Sequence, residues 1–279
     1  MKTVPLHLAV VGWPVRHSLS PRLWEGMGAR RGIPIVYVHY PVPPDDIDAW
    51  TLLWGSDLSG FNVTSPLKER AAESCTRLAP SAARIGAVNT VLRDGHDWVG
   101  HSTDGYGFAR ALLGAEEPIR GRTAAVLGTG GAGRAVACAL AGEGAEVTVV
   151  TRSPDRPVLG CEELPRVGWD ALDDLGPFGI VVNATPIGRG VSDAAAPPIP
   201  YDRWCRGGLA VDLNYMPPVT AFLRAAHAAG ARTLNGFGML IHQACLAAGL
   251  LLEGDPAAAE SYEEDFWAVA REIAPQVTL

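Results

Sequence analysis

The chain has 279 residues, 48% of them hydrophobic and 19% charged, with a formal net charge of −7. That length and balance exclude a disordered chain and leave room for one large or two modest domains. A negative net charge with no basic stripe excludes a nucleic-acid binder that works by neutralising phosphates.

Leu6 to Val11 predicts a buried strand that ends at Gly12. After Trp13 to Leu19 the pair Ser20-Pro21 predicts a helix start, with Ser20 as N-cap and Pro21 at the first helical position. Helix N-termini also attract anions, so Ser18 and Ser20 are candidates to hold a carboxylate. Capping accounts for Ser20 and not for Ser18. A similar junction follows, in which Gly60 to Thr64 reads as a short strand and Ser65-Pro66 opens a helix over Leu67 to Cys75. Two of the 23 basic residues are lysine, Lys2 and Lys68, and the rest are arginine. Lys68 falls in the first turn of that helix, where the dipole disfavours a cation. A residue that breaks a local rule marks either chance or function. Only lysine of the two long cations exchanges a proton near neutral pH.

Val88 to Arg93 and Asp97 to Gly100 read as a hairpin around a two-residue Asp94-Gly95 loop, which would set Asn89 opposite Gly100. Asp104 precedes a helix over Tyr106 to Leu113 and reads as its N-cap or as a site carboxylate. Thr123 to Leu127 (strand), Gly128-Thr129-Gly130-Gly131-Ala132-Gly133 (turn), Arg134 to Gly142 (helix) and Ala145 to Thr151 (strand) form a βαβ unit. Its glycines fit G-x-G-x-x-G, the turn that brings backbone N–H groups up to a pyrophosphate. The second strand ends in Thr151-Arg152-Ser153, with Arg156 beyond. No carboxylate stands where NAD would need one for the ribose hydroxyl, although Asp155 is near. Arg152 and Arg156, helped by Thr151 and Ser153, suit a 2′-phosphate, so NADP is the expected cofactor.

Gly179 to Asn183 and Leu209 to Leu213 are further strands, with polar loops Ala184 to Gly188 and Asn214 to Pro218 at their ends. A helix over Val219 to Gly230 follows. The stretches 154–165 and 189–205 read as surface loops. Phe237 to Glu253 and Pro256 to Ile273 read as two closing helices, the first carrying Gln243 as either a core amide or a group facing a ligand.

Five cysteines, at 75, 138, 161, 205 and 245, contain no C-x-x-C pair and predict reduced thiols in a cytoplasmic protein. The histidines show no ligand spacing, so no metal is expected. The most apolar run, Gly238 to Leu252, is broken by His242 and Gln243 and is too short to span a bilayer. Met1 to Val11 runs into Gly12-Trp13-Pro14 without a cleavage site, so no signal peptide is expected.

Taken in order, these motifs resemble the shikimate dehydrogenase family over nearly the whole chain. They are Gly12-x-Pro14 with Ser18-Leu19-Ser20-Pro21, Gly60-Phe61-Asn62-Val63-Thr64-x-Pro66-x-Lys68-Glu69, Ile85 to Thr90 and Thr103-Asp104-Gly105. Gly128 to Gly133, Thr151-Arg152-Ser153, Asn183-Ala184-Thr185, Asp212 to Pro217 with Thr220, and Gly238-Met239-Leu240 with Gln243 complete the set. The resemblance implies an α/β enzyme of two domains, the second a Rossmann-like doubly wound dinucleotide fold. Residues 1–105 would bind substrate, 106–235 would bind NADP, and the helices of 236–279 would return to the first domain.

The resemblance further implies reversible, NADP-dependent reduction of 3-dehydroshikimate to shikimate, with Lys68 and Asp104 as the catalytic pair. Ser18, Ser20 and Tyr215 would hold the substrate carboxylate, and Thr64, Asn89 and Gln243 its hydroxyls. Asn62 lies in the motif without an assigned contact. Gly128, Thr129, Gly130, Gly131, Ala132 and Gly133 would cradle the pyrophosphate, and Thr151, Arg152, Ser153 and Arg156 would receive the 2′-phosphate. Thr185, Leu213 and Gly236 would line the nicotinamide end. The expected partners are small molecules alone, with no nucleic acid or membrane, for a monomer or homodimer. Relatives that use quinate or an amino analogue of shikimate are the nearest alternative. A non-catalytic dinucleotide-binding regulator is the alternative of another class, and the retained Lys68, Asp104 and glycine loop speak against it. The chain departs from the family pattern at Ser102, Thr151, Pro186 and Leu213-Asn214. Of these, Ser102 and Asn214 adjoin site positions and bear on substrate choice.

Overall fold

Strand β1 (Leu6–Gly12) carries four apolar residues in a row from Leu8 to Val11, all buried, so both its faces must be covered. In the computed structural model, which describes residues 4–188, 190 and 195–277, β1 lies between two parallel neighbours, β2 (Ile35–Pro41) and β3 (Gly60–Val63). Helices α1 (Ser20–Arg31) and α2 (Ile47–Trp54) make the two crossovers. Beyond β3 come α3 (Lys68–Ser74), β4 (Arg77–Leu78) and α4 (Pro80–Ile85), and then the hairpin of β5 (Thr90–Asp94) and β6 (Asp97–His101). The sheet order is β2-β1-β3-β5-β6-β4, with β5 antiparallel to both β3 and β6. Trp54, Phe61 and Trp98 meet edge to face or tilted beneath it. Burying each such ring stabilises the fold by roughly 1.5–3 kcal/mol.

Two local expectations are corrected here. Ser20 is the first helical residue and does not cap; the N-cap is Leu19, and no side chain caps the helix. Ser18 does the capping-like work instead, accepting the Ser20 N–H at 3.3 Å and donating to the Ser20 hydroxyl at 3.1 Å. In the hairpin, Asp94 pairs with Asp97, so the loop is Gly95-His96 and Val91, not Asn89, faces Gly100. Gly95 supplies the positive φ of 61° that a II′ turn needs at its first loop position. Arg77 makes the facing aspartates tolerable, reaching Asp94 at 2.6 Å and Asp97 at 3.2 Å.

The chain divides into two compact units: one runs to Thr103 and resumes at Gln243, and the other is Asp104–His242. Gly236 to His242, expected with the C-terminal helices, therefore belong to the second unit. That unit holds α5 (Asp104–Gly114), β7 (Thr123–Leu127), α6 (Gly131–Gly142), β8 (Glu146–Val150), β9 (Arg166–Val167), β10 (Ile180–Asn183) and α7 (Tyr201–Trp204). It continues with β11 (Leu209–Asp212), α8 (Ala221–Ala228), β12 (Arg232–Asn235) and the first half of α9 (Phe237–Ala248). The sheet is wholly parallel in the order β12-β11-β10-β7-β8-β9. This is the doubly wound order, and its direction reverses between β7 and β10. Its core gathers Phe178, Trp204, Phe222 and Leu223.

Helix boundaries shift in ways the residues explain. Gly131 to Gly133 form the first turn of α6, with Gly130 as its N-cap, so half of the glycine turn is helical. Asp104 is the first residue of α5 and not a cap outside it. The closing helices are interrupted: α9 ends in a π turn over Gly249–Glu253, and a 3₁₀ turn over Pro256–Tyr262 precedes α10 (Glu263–Ile273). In the first unit α10 packs on α1, where Asp265 takes Arg30 at 2.9 Å and Arg31 at 2.7 Å. No single helix among the described residues is long and apolar enough to cross a membrane.

The stretch 154–165 has no helix or strand, yet Val158, Cys161 and Leu164 are buried in it, so it is not a plain surface loop. In 189–205, positions 189 and 191–194 lie outside the described residues, while Tyr201–Trp204 is helical with Trp204 fully buried. The expectation of five reduced thiols is also corrected. Cys138 of α6 and Cys161 are joined as a disulfide, and Cys75, Cys205 and Cys245 are free.

His101, at the end of β6, is half-buried, and desolvation holds its imidazole below the ordinary value. The unfolded chain then takes the proton more readily than the folded one. His101 therefore contributes full stability above the unfolded value of about 6.5, and this is lost as pH falls through the folded value. We expect the Tm of the wild type to fall more steeply than that of His101→Gln as pH is lowered from about 6.5. Parallel curves in scanning calorimetry would show that another group carries the acid limb.

Candidate functional site

In the first unit, the site residues hang on the backbone around Asn89. The Asn89 carbonyl accepts the Val63 N–H at 2.8 Å and the Asn62 side chain at 3.1 Å, and its N–H donates to the His101 carbonyl at 3.1 Å. Its side chain accepts the Thr103 N–H at 2.7 Å and donates to the Thr103 hydroxyl at 2.9 Å. A longer contact of 3.4 Å reaches Gln243. Asn89, Thr103 and Gln243 are all buried; Asp104, which follows Thr103 and opens the second unit, is 5% exposed. Lys68 begins α3 as expected, and its carbonyl accepts the Val88 N–H at 2.9 Å, one residue before Asn89. Thr64 ends the β3 segment half-buried, with its N–H on the Val11 carbonyl at 2.8 Å. The Ser18 carbonyl meets the His39 ring at 3.0 Å, which ties the Ser18-Ser20 loop to β2.

In the second unit, the remaining candidates line the C-terminal ends of the strands around the reversal of order, where dinucleotides bind in such sheets. A Cβ at Gly133 would collide with the Gly128 carbonyl, so α6 approaches the end of β7 as only glycine allows. A Cβ at Gly130 would meet nothing within 4 Å. That open space, in front of the N-terminal N–H groups of α6, is what a pyrophosphate needs. Gly128, at φ 103°, sits against Ala184 and Thr185 at the end of β10. Gly236 packs so closely on the Leu213 backbone that no side chain fits. Thr129 and Thr151 share a hydroxyl contact of 3.3 Å, and Thr151 also accepts the Ser153 N–H at 3.3 Å. Arg152, Ser153 and Arg156 are exposed past β8, open to an anion. The donor set thus fits a dinucleotide carrying an extra phosphate. Tyr215, after β11, lies edge-on to Phe237 with ring centroids 6.0 Å apart.

Residues 10–91 match the family model of the shikimate dehydrogenase substrate binding domain. The shikimate dehydrogenase (NADP(+)) of Xylella fastidiosa (strain M12) is 41% identical over 249 residues, spanning 85% of this chain and 87% of that protein. The chain belongs to the shikimate dehydrogenase family. Among solved structures of the family, the shikimate 5-dehydrogenase of Thermus thermophilus, in complex with NADP(H) and shikimate, superposes with a TM-score of 0.78. It is 37% identical and is matched over 94% of this chain and 99% of that one. The ligand-free 5-ketofructose reductase of Gluconobacter sp. strain CHM43 has a TM-score of 0.75 at 29% identity, again over 94% and 99%.

For this shikimate dehydrogenase family member, the sequence left several supporting residues unassigned. Asn62 receives the Tyr37 hydroxyl at 2.7 Å and donates to Thr90 at 3.0 Å, so it joins β2 to β5 beneath the Asn89 backbone. Burial pushes the Tyr37 phenol well up, which keeps it a neutral donor. Thr103 was read only as a motif letter; its hydroxyl and N–H are what the Asn89 amide grips. Asp212, at the end of β11, is fully buried and accepts from Asn183, Asn214 and Thr220. Burial pushes its carboxyl up against the pull of those donors. A carboxylate in an otherwise apolar strand, Leu209 to Asp212, was the signal available for it. Among the described residues no three His, Cys, Asp or Glu side chains cluster as metal ligands.

The two glycines separate packing from ligand contact. Gly133→Ala is expected to lower stability by about 1–3 kcal/mol, since the added carbon overpacks a backbone contact. Gly130→Ala should keep its Tm while weakening NADPH binding tenfold or more by calorimetry. A normal affinity in Gly130→Ala would place the pyrophosphate elsewhere.

Proposed function

We propose that this chain catalyses the reversible NADP-dependent reduction of 3-dehydroshikimate to shikimate. Family membership, joined to a strand edge built for an anionic dinucleotide, carries the reading. The reduced cofactor supplies the hydride when bound. The protein's task is then to bind a polyhydroxy acid, orient its ketone and deliver a proton to the oxygen on which charge develops. Lys68 is that donor: a protonated amine both stabilises the growing alkoxide and gives up its proton, which arginine cannot do. Asp104 is its carboxylate partner, held in place by the grip of Asn89 on Thr103.

Ser18 spends its proton on Ser20, which supports Ser20 as the hydroxyl that meets the substrate carboxylate, with Ser18 and Tyr215 as its further ligands. Thr64, Asn89 and Gln243 take the ring hydroxyls. Where such groups are buried, a substrate lacking one hydroxyl leaves a partner unpaired and is rejected. The 2′-phosphate goes to Arg152 and Arg156 with Thr151 and Ser153, and Thr185, Leu213 and Gly236 take the nicotinamide end. We infer a cytoplasmic enzyme, monomeric or homodimeric. Its net charge of −7 supports small molecules, not polyanions, as its partners.

Purified protein with 3-dehydroshikimate and NADPH should consume the nicotinamide absorbance, while NADH and quinate with NAD should be slower. 5-Ketofructose, which has no carboxylate, should be slower still. Absence of turnover on all of these would overturn the reading. Lys68→Arg should lose about 10²–10⁴ in kcat while NADPH binding stays intact. A near wild-type rate would reduce Lys68 to an electrostatic anchor. Arg152→Ala should raise KM for NADPH far more than for NADH, and equal effects would remove the 2′-phosphate from this position.

A further inference from the structure

Asp212 is a carboxylate with no basic partner among the described residues. Its Oδ1 accepts from Asn183 Nδ2 at 3.1 Å, from the Asn214 N–H at 3.0 Å and from Asn214 Nδ2 at 2.9 Å. Its Oδ2 accepts from the Thr220 hydroxyl at 2.6 Å. Burying an ion against neutral donors alone is costly, and an apolar residue would serve the packing of a strand end better. The arrangement makes sense where the ion sets the direction of something else.

That something is the Asn183 amide. Its Nδ2 is divided between Asp212 and the Ile187 carbonyl, the latter at 3.1 Å. Flipping the amide would face oxygen against oxygen at both partners, so the carboxylate locks it. The locked Oδ1 then accepts the Thr185 N–H at 3.1 Å and the Thr185 hydroxyl at 2.6 Å. The Thr185 oxygen also accepts the Ile187 N–H at 3.2 Å. A hydroxyl has one proton and two lone pairs. With the proton committed to Asn183 and one lone pair to Ile187, what remains is a single acceptor.

We propose that Asp212 is a positioning residue which, through Asn183, fixes Thr185 as a hydrogen-bond acceptor for the carboxamide –NH₂ of the nicotinamide. The proposal rests on the reading of Thr185 as part of the nicotinamide end. Asn214 adds two of the four donors. In this chain it is a reinforcement of Asp212, on the residue just before Tyr215. Thr220 serves twice, holding Asp212 and accepting the Leu223 N–H at 3.3 Å as N-cap of α8.

The test compares ligands that share the adenosine end. Asp212→Asn and Asn214→Leu are titrated by calorimetry with NADPH and with adenosine 2′,5′-bisphosphate, which lacks the nicotinamide. Affinity for NADPH should fall about five- to tenfold in Asp212→Asn and about two- to threefold in Asn214→Leu, with the bisphosphate bound as in the wild type. The 3-acetylpyridine analogue, which has no –NH₂, should bind wild type and variants alike. Asn214→Leu keeps the carboxylate and the backbone donor, so it remains informative if Asp212→Asn fails to fold. Loss of both ligands together would make Asp212 a structural residue only, and unchanged NADPH affinity in a folded variant would overturn the proposal. Failure of the wild type itself to bind NADPH would instead overturn the cofactor reading.

Discussion

One buried amide carries most of the order in the first unit. Asn89 uses its backbone to fasten β3 and the end of β6, and its side chain to hold the peptide that leads out to Asp104. Each of its polar atoms has at least one partner in the chain, which is how a buried amide avoids the cost of an unmade hydrogen bond. The consequence is geometric. Lys68 is tied by its carbonyl to the residue before Asn89, and Asp104 follows the residue that Asn89 grips. The Lys68 backbone and that of Thr103, the residue before Asp104, are thus both referenced to the Val88-Asn89 segment.

The second unit uses a different device for the same end. There the strand ends are drawn together by close backbone approaches, Gly133 on Gly128 and Gly236 on Leu213, and then cross-tied by the Asp212 carboxylate. Polar groups buried in this way stiffen a site, because each can satisfy its partners in only one arrangement. Stiffness matters where a hydride must cross a short gap, since a small misplacement costs rate.

The elements were legible in the sequence wherever a single strong signal dominated. The βαβ unit, the strand before Lys68 and the helix it begins all follow from apolar runs and glycine or proline punctuation. What was not legible depended on partners distant in sequence. Asp94-Gly95 reads as a turn in isolation, but Asp94 pairs with Asp97 and bonds Arg77, seventeen residues earlier, and the loop lies one residue later. Ser20 reads as a cap beside Pro21, yet the hydroxyl that serves the helix start belongs to Ser18. The pairing of Cys138 with Cys161 spans 23 residues, from a helix to a loop, and no spacing rule encodes it. In the site, the residues that would touch ligands were readable as motif letters. Of those that hold them, Thr103 and Asp212 stood in motifs and Tyr37 in none, but the role of all three lies in which atom faces which.

The division of labour between the two long cations completes the picture. Arginine here does work that needs a planar fork: Arg77 spans two aspartates, Arg122 and Arg232 share the buried Glu117, and Arg70 and Arg93 lie over tryptophan rings. Delocalised charge and several fixed donors suit each of these tasks, and a 2′-phosphate at Arg152 and Arg156 asks for the same properties. None of them needs the cation to lose its proton. Lys68 is the one lysine among the described residues, and it stands in a helix's first turn, where a cation gains nothing from the dipole. Charge alone would have been met by the arginine used everywhere else. A position that keeps lysine where arginine is used everywhere else keeps a cation able to give up and regain a proton.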